Sequence, residues 1–205
     1  MDPMLTMRQS VRRLAVAGRV TDTVTGRPLA GALAQITTAP KEFRAWAEIR
    51  GAELASRTPP GAPPERAVSD ADGWFRYLDL PAGKYTIDVS LPAAGSRYGG
   101  ARAKTEVSAT SAAAWADASV SLPPTTVRGT VRDDAGLAVP MAEVKVKGSL
   151  ETTYTDRDGA YALVGVEAGA RVLSVRARGF APAEAAVKLA EGKQKTQDVA
   201  LAPQS

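Results

Sequence analysis

The chain has 205 residues, 44% of them apolar and 23% charged, proportions that suit a globular protein and exclude wholesale disorder. It contains no cysteine and no histidine, which excludes disulfides and thiol catalysis and removes the commonest general base and metal ligand near neutral pH. The formal net charge of +4 is a weak attraction to acidic surfaces and no more.

Met1 to Arg13 carries Arg8, Arg12 and Arg13, but the apolar stretch that follows, Leu14 to Ala17, ends at Gly18. A secretory signal needs an apolar run of roughly 7–15 residues, and no other segment approaches the ~18 of a membrane span. The expectation is a tail over residues 1–14 on a chain that is cytoplasmic when synthesised and becomes exposed only on an assembled particle.

From Val16 the chain reads as a repeat. Val16-Ala-Gly18-Arg-Val20-Thr-Asp22 followed by Thr25-Gly26-Arg-Pro28-Leu29 returns as Val127-Arg-Gly129-Thr-Val131-Arg-Asp133 followed by Ala135-Gly136-Leu-Ala-Val139. Further on, Ser69-Asp70-Ala-Asp72-Gly73-Trp74-Phe75 matches Thr155-Asp156-Arg-Asp158-Gly159-Ala160-Tyr161, and Leu80-Pro-Ala-Gly83 matches Val166-Glu-Ala-Gly169. Each copy closes on a Val-x-Leu strand, Val120 to Leu122 and Val199 to Leu201. Short alternating strands between Gly, Pro and Asp turns predict an all-β sandwich or barrel, with six or seven strands per copy. The divisions expected are 15–123 and 124–203, joined at Pro123-Pro124 by a short, stiff connection.

The segment from Pro40 to Arg66 has no counterpart in the second copy. Its first half places Phe43, Trp46, Ile49 and, more loosely, Leu54 at helical spacing and predicts a short amphipathic helix, with Gly51 costing ~1 kcal/mol relative to Ala. Its second half, Thr58 to Glu65, holds four prolines and predicts an extended connection. Aromatic side chains on an insertion that the fold can do without point to a protein-docking surface made of Phe43, Trp46, Ile49 and Leu54, with docking of the insertion on its own sandwich as the alternative.

In the second copy Lys145, Lys147, Arg176 and Arg178 alternate with small apolar residues, a pattern that places the cations on the wet face of strands and gives no reason to expect nucleic acid. The Asp-x-Asp-Gly pairs do not fit a calcium loop: with Gly73 or Gly159 in its glycine position, Val68 or Tyr154 would stand where the first carboxylate belongs. They read as turns, in which Asp binds turn amides and Gly supplies a positive φ. Trp74 and Phe75 are neighbours on a strand, so only one of them can enter the core. Trp115 reads as edge packing.

In order and twice over, these motifs resemble the carboxypeptidase regulatory-like domain, over nearly all of residues 15–203 outside the insertion. The resemblance implies two tandem antiparallel β-sandwiches of the transthyretin-like or immunoglobulin-like kind, the first carrying a helical insertion. The second copy departs from the pattern: Met141 stands where the first has Gly31, Ala138 where it has Pro28, and Arg171 where it has Tyr85. The resemblance also implies a module used for folding support, assembly or adhesion, with no catalytic residue to carry over. The expected function is a non-enzymatic structural or adaptor subunit, without cofactor or metal, that binds protein partners in a phage tail, capsid or contractile injection particle. The alternative is a glycan- or surface-binding adhesin module, marked by exposed aromatics.

Overall fold

The computed structural model describes residues 12–56, 63–109 and 115–204. The expected tail up to residue 11 and the Thr58-Pro59-Pro60-Gly61 stretch of the connection lie outside these residues. The first sandwich contains β1 (Leu14–Asp22), β2 (Leu33–Thr38), α1 (Glu42–Ala55), β3 (Arg66–Val68), β4 (Trp74–Leu78), β5 (Gly83–Ser90), β6 (Ala101–Val107), β7 (Ala116–Asp117) and β8 (Val120–Leu122). The second contains β9 (Thr126–Asp133), β10 (Glu143–Val146), β11 (Thr152–Tyr154), β12 (Ala160–Val164), β13 (Gly169–Arg176), β14 (Ala183–Leu189), β15 (Gln194–Thr196) and β16 (Val199–Leu201).

The strand order is the same in both. One sheet runs β4-β1-β7 with β8 also on β1, facing β3-β2-β5-β6; its counterpart runs β12-β9-β15 with β16 on β9, facing β11-β10-β13-β14. Eight strands per sandwich exceed the six or seven expected, because the closing strand is split. β7 and β8 both pair with β1 on either side of Ala118-Ser119, and β15 and β16 do the same with β9 around Gln197-Asp198. This pairing is parallel, so the sheets are antiparallel everywhere except at the closing strand, which arrives by crossing over from the facing sheet instead of through a hairpin.

At each split a side chain accepts a bond that a continuous ladder would have received on its backbone. Ser119 Oγ accepts the Arg19 N–H at 3.0 Å, and Asp198 Oδ1 accepts the Thr130 N–H at 2.7 Å. The glycine that opens each repeat is required there. A Cβ at Gly18 would lie 2.5 Å from the Ala118 carbonyl oxygen and 2.5 Å from the Phe75 ring, and one at Gly129 would fall on the Gln197 carbonyl.

Two apolar clusters fill the sandwiches. Phe75, Tyr85, Ile87 and Leu122 are fully enclosed in the first; the second relies on valines such as Val127, Val131 and Val144 with Leu173 and Leu201. Phe75 takes the inward position and Trp74 the outward one, as alternation requires. Lys145, Lys147, Arg176 and Arg178 are all exposed.

The turns reproduce one another in detail. Asp70 Oδ1 accepts the N–H groups of Asp72 and Trp74 at 3.1 and 2.9 Å, and Asp156 Oδ1 accepts those of Asp158 and Ala160, both at 2.9 Å. Gly73 and Gly159 follow at φ +80° and +73°, and a Cβ on either would meet the carbonyl of Val20 or Val131 within 2.6 Å. Just before these turns, a buried hydroxyl clips the β1–β2 connection. Ser69 Oγ donates to the Leu29 carbonyl at 2.7 Å and accepts the Ala32 N–H at 2.9 Å; Thr155 Oγ1 does the same with Val139 at 2.7 Å and Ala142 at 2.8 Å.

Candidate docking surface and the junction between the sandwiches

Helix α1 fills the β2–β3 connection of the first sandwich, where the second needs only residues 147–151 between β10 and β11. A helix of 14 residues is marginal by itself, and no side chain caps its N-terminus at Lys41. Phe43 and Trp46 hold it by packing on the first core. Their rings lie 5.4 Å apart, and Phe43 meets Tyr85 edge-on at 5.9 Å. Tyr85 is fixed in turn by its hydroxyl, which donates to the Pro81 carbonyl at 2.8 Å; burial, with Glu42 adding to it, pushes the phenol up to about 12.

The four expected docking residues do not share a face. At about 100° per residue, Ile49 lies roughly 120° round the helix from Phe43, so the inward position falls to Arg50, which bonds Glu53 at 2.5 Å. The amphipathic reading is therefore corrected: Phe43 and Trp46 dock on their own sandwich, Leu54 is half-buried, and Ile49 points away, 68% exposed. Depressions of about 400 and 140 Å³ flank the helix; Trp46 and Arg50 line both.

The junction lies around the Pro123-Pro124 connection expected from the sequence, and its side-chain contacts were not foreseen there. Before β6 the chain makes a short 3-10 turn, Pro92–Arg97, and its last two residues reach into the second sandwich. Arg97 Nη1 donates to Glu151 and to the Gly165 carbonyl, the latter at 2.8 Å, while its Nε lies 3.3 Å from Glu167. Ser96 Oγ donates to Glu167 at 3.1 Å and accepts the Ala168 N–H at 2.9 Å. The Arg97 bond holds the Glu151 carboxyl below its ordinary range against the opposing effect of burial.

Thr125 ties both sides together. Its hydroxyl donates to the Ser96 carbonyl and accepts the Gly192 N–H, both at 2.8 Å, and its carbonyl accepts the N–H groups of Gly165 and Val166. Gly192 and Gly99 meet backbone to backbone, so a Cβ on Gly192 would stand 2.5 Å from the Gly99 Cα. Tyr98, between these contacts, donates its hydroxyl to Asp22 at 2.7 Å. Burial pushes the Asp22 carboxyl up, but the amides of Thr25 and Val24 and the Tyr98 hydroxyl outweigh it and hold the group below its ordinary value. A cleft of about 370 Å³ beside the junction is lined by Arg97, Lys147, Glu151, Glu167, Arg171 and the 95% exposed Leu150. Arg171 replaces Tyr85 functionally as well as in sequence, since its Nε donates to the Glu167 carbonyl four residues back, as the Tyr85 hydroxyl does to Pro81.

On the outer face of the first sheet Trp74 and Trp115 meet edge-on at 5.9 Å. Ala17 shares that face and is 2% exposed, yet it belongs to neither core cluster. By register the second sandwich has Ala160 and Gln194 in these places. Among the described residues no group of three or more acidic side chains is arranged to hold a metal ion, and no helix is long and apolar enough to cross a membrane.

Comparison with known proteins finds likenesses to solved structures and to one family model. No curated protein matches the sequence. Among solved structures, the chain is similar to the shaft pilin SpaA from Lactobacillus rhamnosus GG, at 12% identity over 95% of this chain and 99% of that one, with a TM-score of 0.45. It is also similar to the Bacillus anthracis TIE protein, at 14% identity over 94% of this chain and 34% of that one, with a TM-score of 0.44. A chain of a type II cohesin-X-dockerin complex from Acetivibrio cellulolyticus matches at 18% identity over 38% of this chain and 56% of that one, with a TM-score of 0.33. The chain thus spans about half the length of the cohesin-complex chain and about a third of the TIE protein. The model of the carboxypeptidase regulatory-like domain matches residues 126–202, the span from β9 through β16.

Proposed function

We propose that the chain is a non-enzymatic structural subunit that holds two β-sandwiches in a fixed relation and docks a protein partner through α1, as a component of a larger assembly such as a phage tail, a capsid or a contractile injection particle. The observation that carries this reading is α1 itself. The second sandwich completes the same connection with five residues, whereas the first builds a 14-residue helix there and leaves Ile49 in solvent. Replacing residues 40–66 by a short Gly-Ser turn tests it. The expected result is an unchanged β signal in circular dichroism and at least tenfold weaker co-sedimentation with the native assembly, equivalent to about 1.4 kcal/mol. Unchanged co-sedimentation would remove the docking role, and loss of the β signal would make the helix part of the first core.

A second reading, a glycan- or surface-binding adhesin module, is favoured by the Trp74 and Trp115 pair, which the fold does not need, since Ala160 and Gln194 serve in its place. Retention of the chain on immobilised glycans, abolished by Trp115→Ala, is its test.

A further inference from the structure

The walls of the two α1 depressions differ from each other in charge. Arg12, Arg50, Glu53 and Asp79 line the larger; Arg50, Arg66 and Arg76 line the smaller, where no acid stands among the described residues. Two of these arginines have carboxylate partners, Arg50 in Glu53 and Arg76 in Asp70 at 2.7 Å, and Asp79 accepts the Arg13 N–H at 2.8 Å. Arg66 directs its Nε to the neutral Gln35 amide oxygen at 2.7 Å and keeps its charge. Between these cations lie the apolar surfaces of Trp46, Ile49, Leu54 and Leu78. Strand β4 forms one wall and is the outer strand of its sheet.

From this complementarity we infer that the groove between α1 and β4 takes an acidic, extended segment of a protein partner, with a large apolar side chain seated beside Trp46. The inference rests on the docking role proposed for α1 and adds the chemistry of the partner. An extended chain fits because the groove follows a strand edge, and the arginines select acidic over basic sequences by attraction and by repulsion together.

The test is selection of a random 12-residue peptide library, displayed on phage, against the full chain, followed by measurement of the selected peptides as synthetic probes. Peptides whose binding depends on Ile49→Asp or Trp46→Ala are expected to carry net negative charge, and to bind at least tenfold more weakly to Arg12→Glu/Arg66→Glu. Binding should also weaken as salt rises from about 50 to about 500 mM, which shortens the screening length well below 10 Å. Ile49 is an exposed position, so Ile49→Asp serves where Trp46→Ala does not fold. Peptides that depend on Ile49 but are neutral or basic, or that ignore the arginine substitutions, would overturn the acidic preference and leave docking on α1 intact. If no selected peptide depends on either residue, the docking role fails with it.

Discussion

Arg97, at the end of the turn before β6, donates a hydrogen bond to Glu151 in the second sandwich, 54 positions away. The pair is partly shielded, with about a third of the Arg97 side chain and a fifth of that of Glu151 exposed, and pairs in such places contribute on the order of 1 kcal/mol. Arg97→Ala is expected to lower stability by about that amount. The pH dependence follows from the direction of the Glu151 shift. A carboxyl whose value is lowered by folding adds stability that is present above its unfolded value and lost as pH falls through the folded one. The difference in urea midpoint between native protein and Arg97→Ala should therefore shrink between about pH 7 and about pH 3.

Gly18 and Gly129 lie under the split in the closing strand, and there is no room at either for a methyl group. At both the obstruction includes a backbone carbonyl, joined at Gly18 by the Phe75 ring, and the carbonyls cannot move without opening the β1–β7 or β9–β15 pairing. Gly129→Ala is expected to cost about 3 kcal/mol or more, at the upper end for overpacking. Gly26, in an open turn at φ +68° with nothing near its missing Cβ, should lose only the 1–2 kcal/mol of a left-handed alanine. Equal effects in denaturant titrations would mean that the closing strand yields.

What the sequence made legible was local and periodic. The alternation around Val144 and Val175, the Asp70 and Asp156 turns and the choice of Phe75 over Trp74 all arise from neighbours within a few positions. The helix over Glu42 to Ala55 was legible too, although the position of Ile49 on it was not, because Phe43, Trp46 and Ile49 advance by threes and drift round a 3.6-residue helix. At the junction only the Pro123-Pro124 connection was legible, not the contacts. Arg97 meets Glu151 and Glu167 only because Thr125 and the two glycines Gly99 and Gly192 let the sandwiches close on each other, and a pairing over such distances leaves no local pattern. The one available signal was Arg171 in place of Tyr85, a change of residue that preserves a backbone bond and adds a charge to the cleft.

Met141 holds a left-handed conformation, φ +56°, in the place that Gly31 takes in the first sandwich at φ +75°. Its side chain is 73% exposed, so little packing compensates for a conformation that costs about 1–2 kcal/mol outside glycine. Glycine brings its own entropic cost in the unfolded chain, of about 0.5–1 kcal/mol. Met141→Gly is therefore expected to raise stability by up to about 1 kcal/mol, seen as a higher thermal midpoint. A lower midpoint would show that the methionine side chain contributes contacts.

The first carboxylate of each Asp-x-Asp-Gly motif spends one oxygen on two turn amides. Melting in excess calcium and in chelator is expected to coincide, since a cation that bound only the folded state would raise the midpoint. Asp156→Ala should cost about 1–2 kcal/mol through the two amides left without a partner, whatever the metal present. A calcium-dependent shift of several degrees would reject the turn reading.

The second sandwich should fold without the first. Residues 124–205 contain every member of the second apolar cluster, and the Thr125 carbonyl and hydroxyl keep their bonds to Gly165, Val166 and Gly192 in that fragment. What it loses are the contacts to the preceding turn: Ser96 and Arg97 on Thr125, and Arg97 and Ser96 on Glu151 and Glu167. Each neutral bond of this kind contributes about 1 kcal/mol net, because water replaces the missing partner. A domain of about 80 residues has only a modest reserve of stability. The fragment is therefore expected to show dispersed amide resonances and cooperative urea unfolding, with a midpoint below that of the full chain. Arg97→Ala in the full chain should reproduce part of that drop and no more, since the Thr125 contacts survive it. A collapsed spectrum would mean that the junction is needed for folding, and that the two sandwiches are one cooperative unit despite their separate cores.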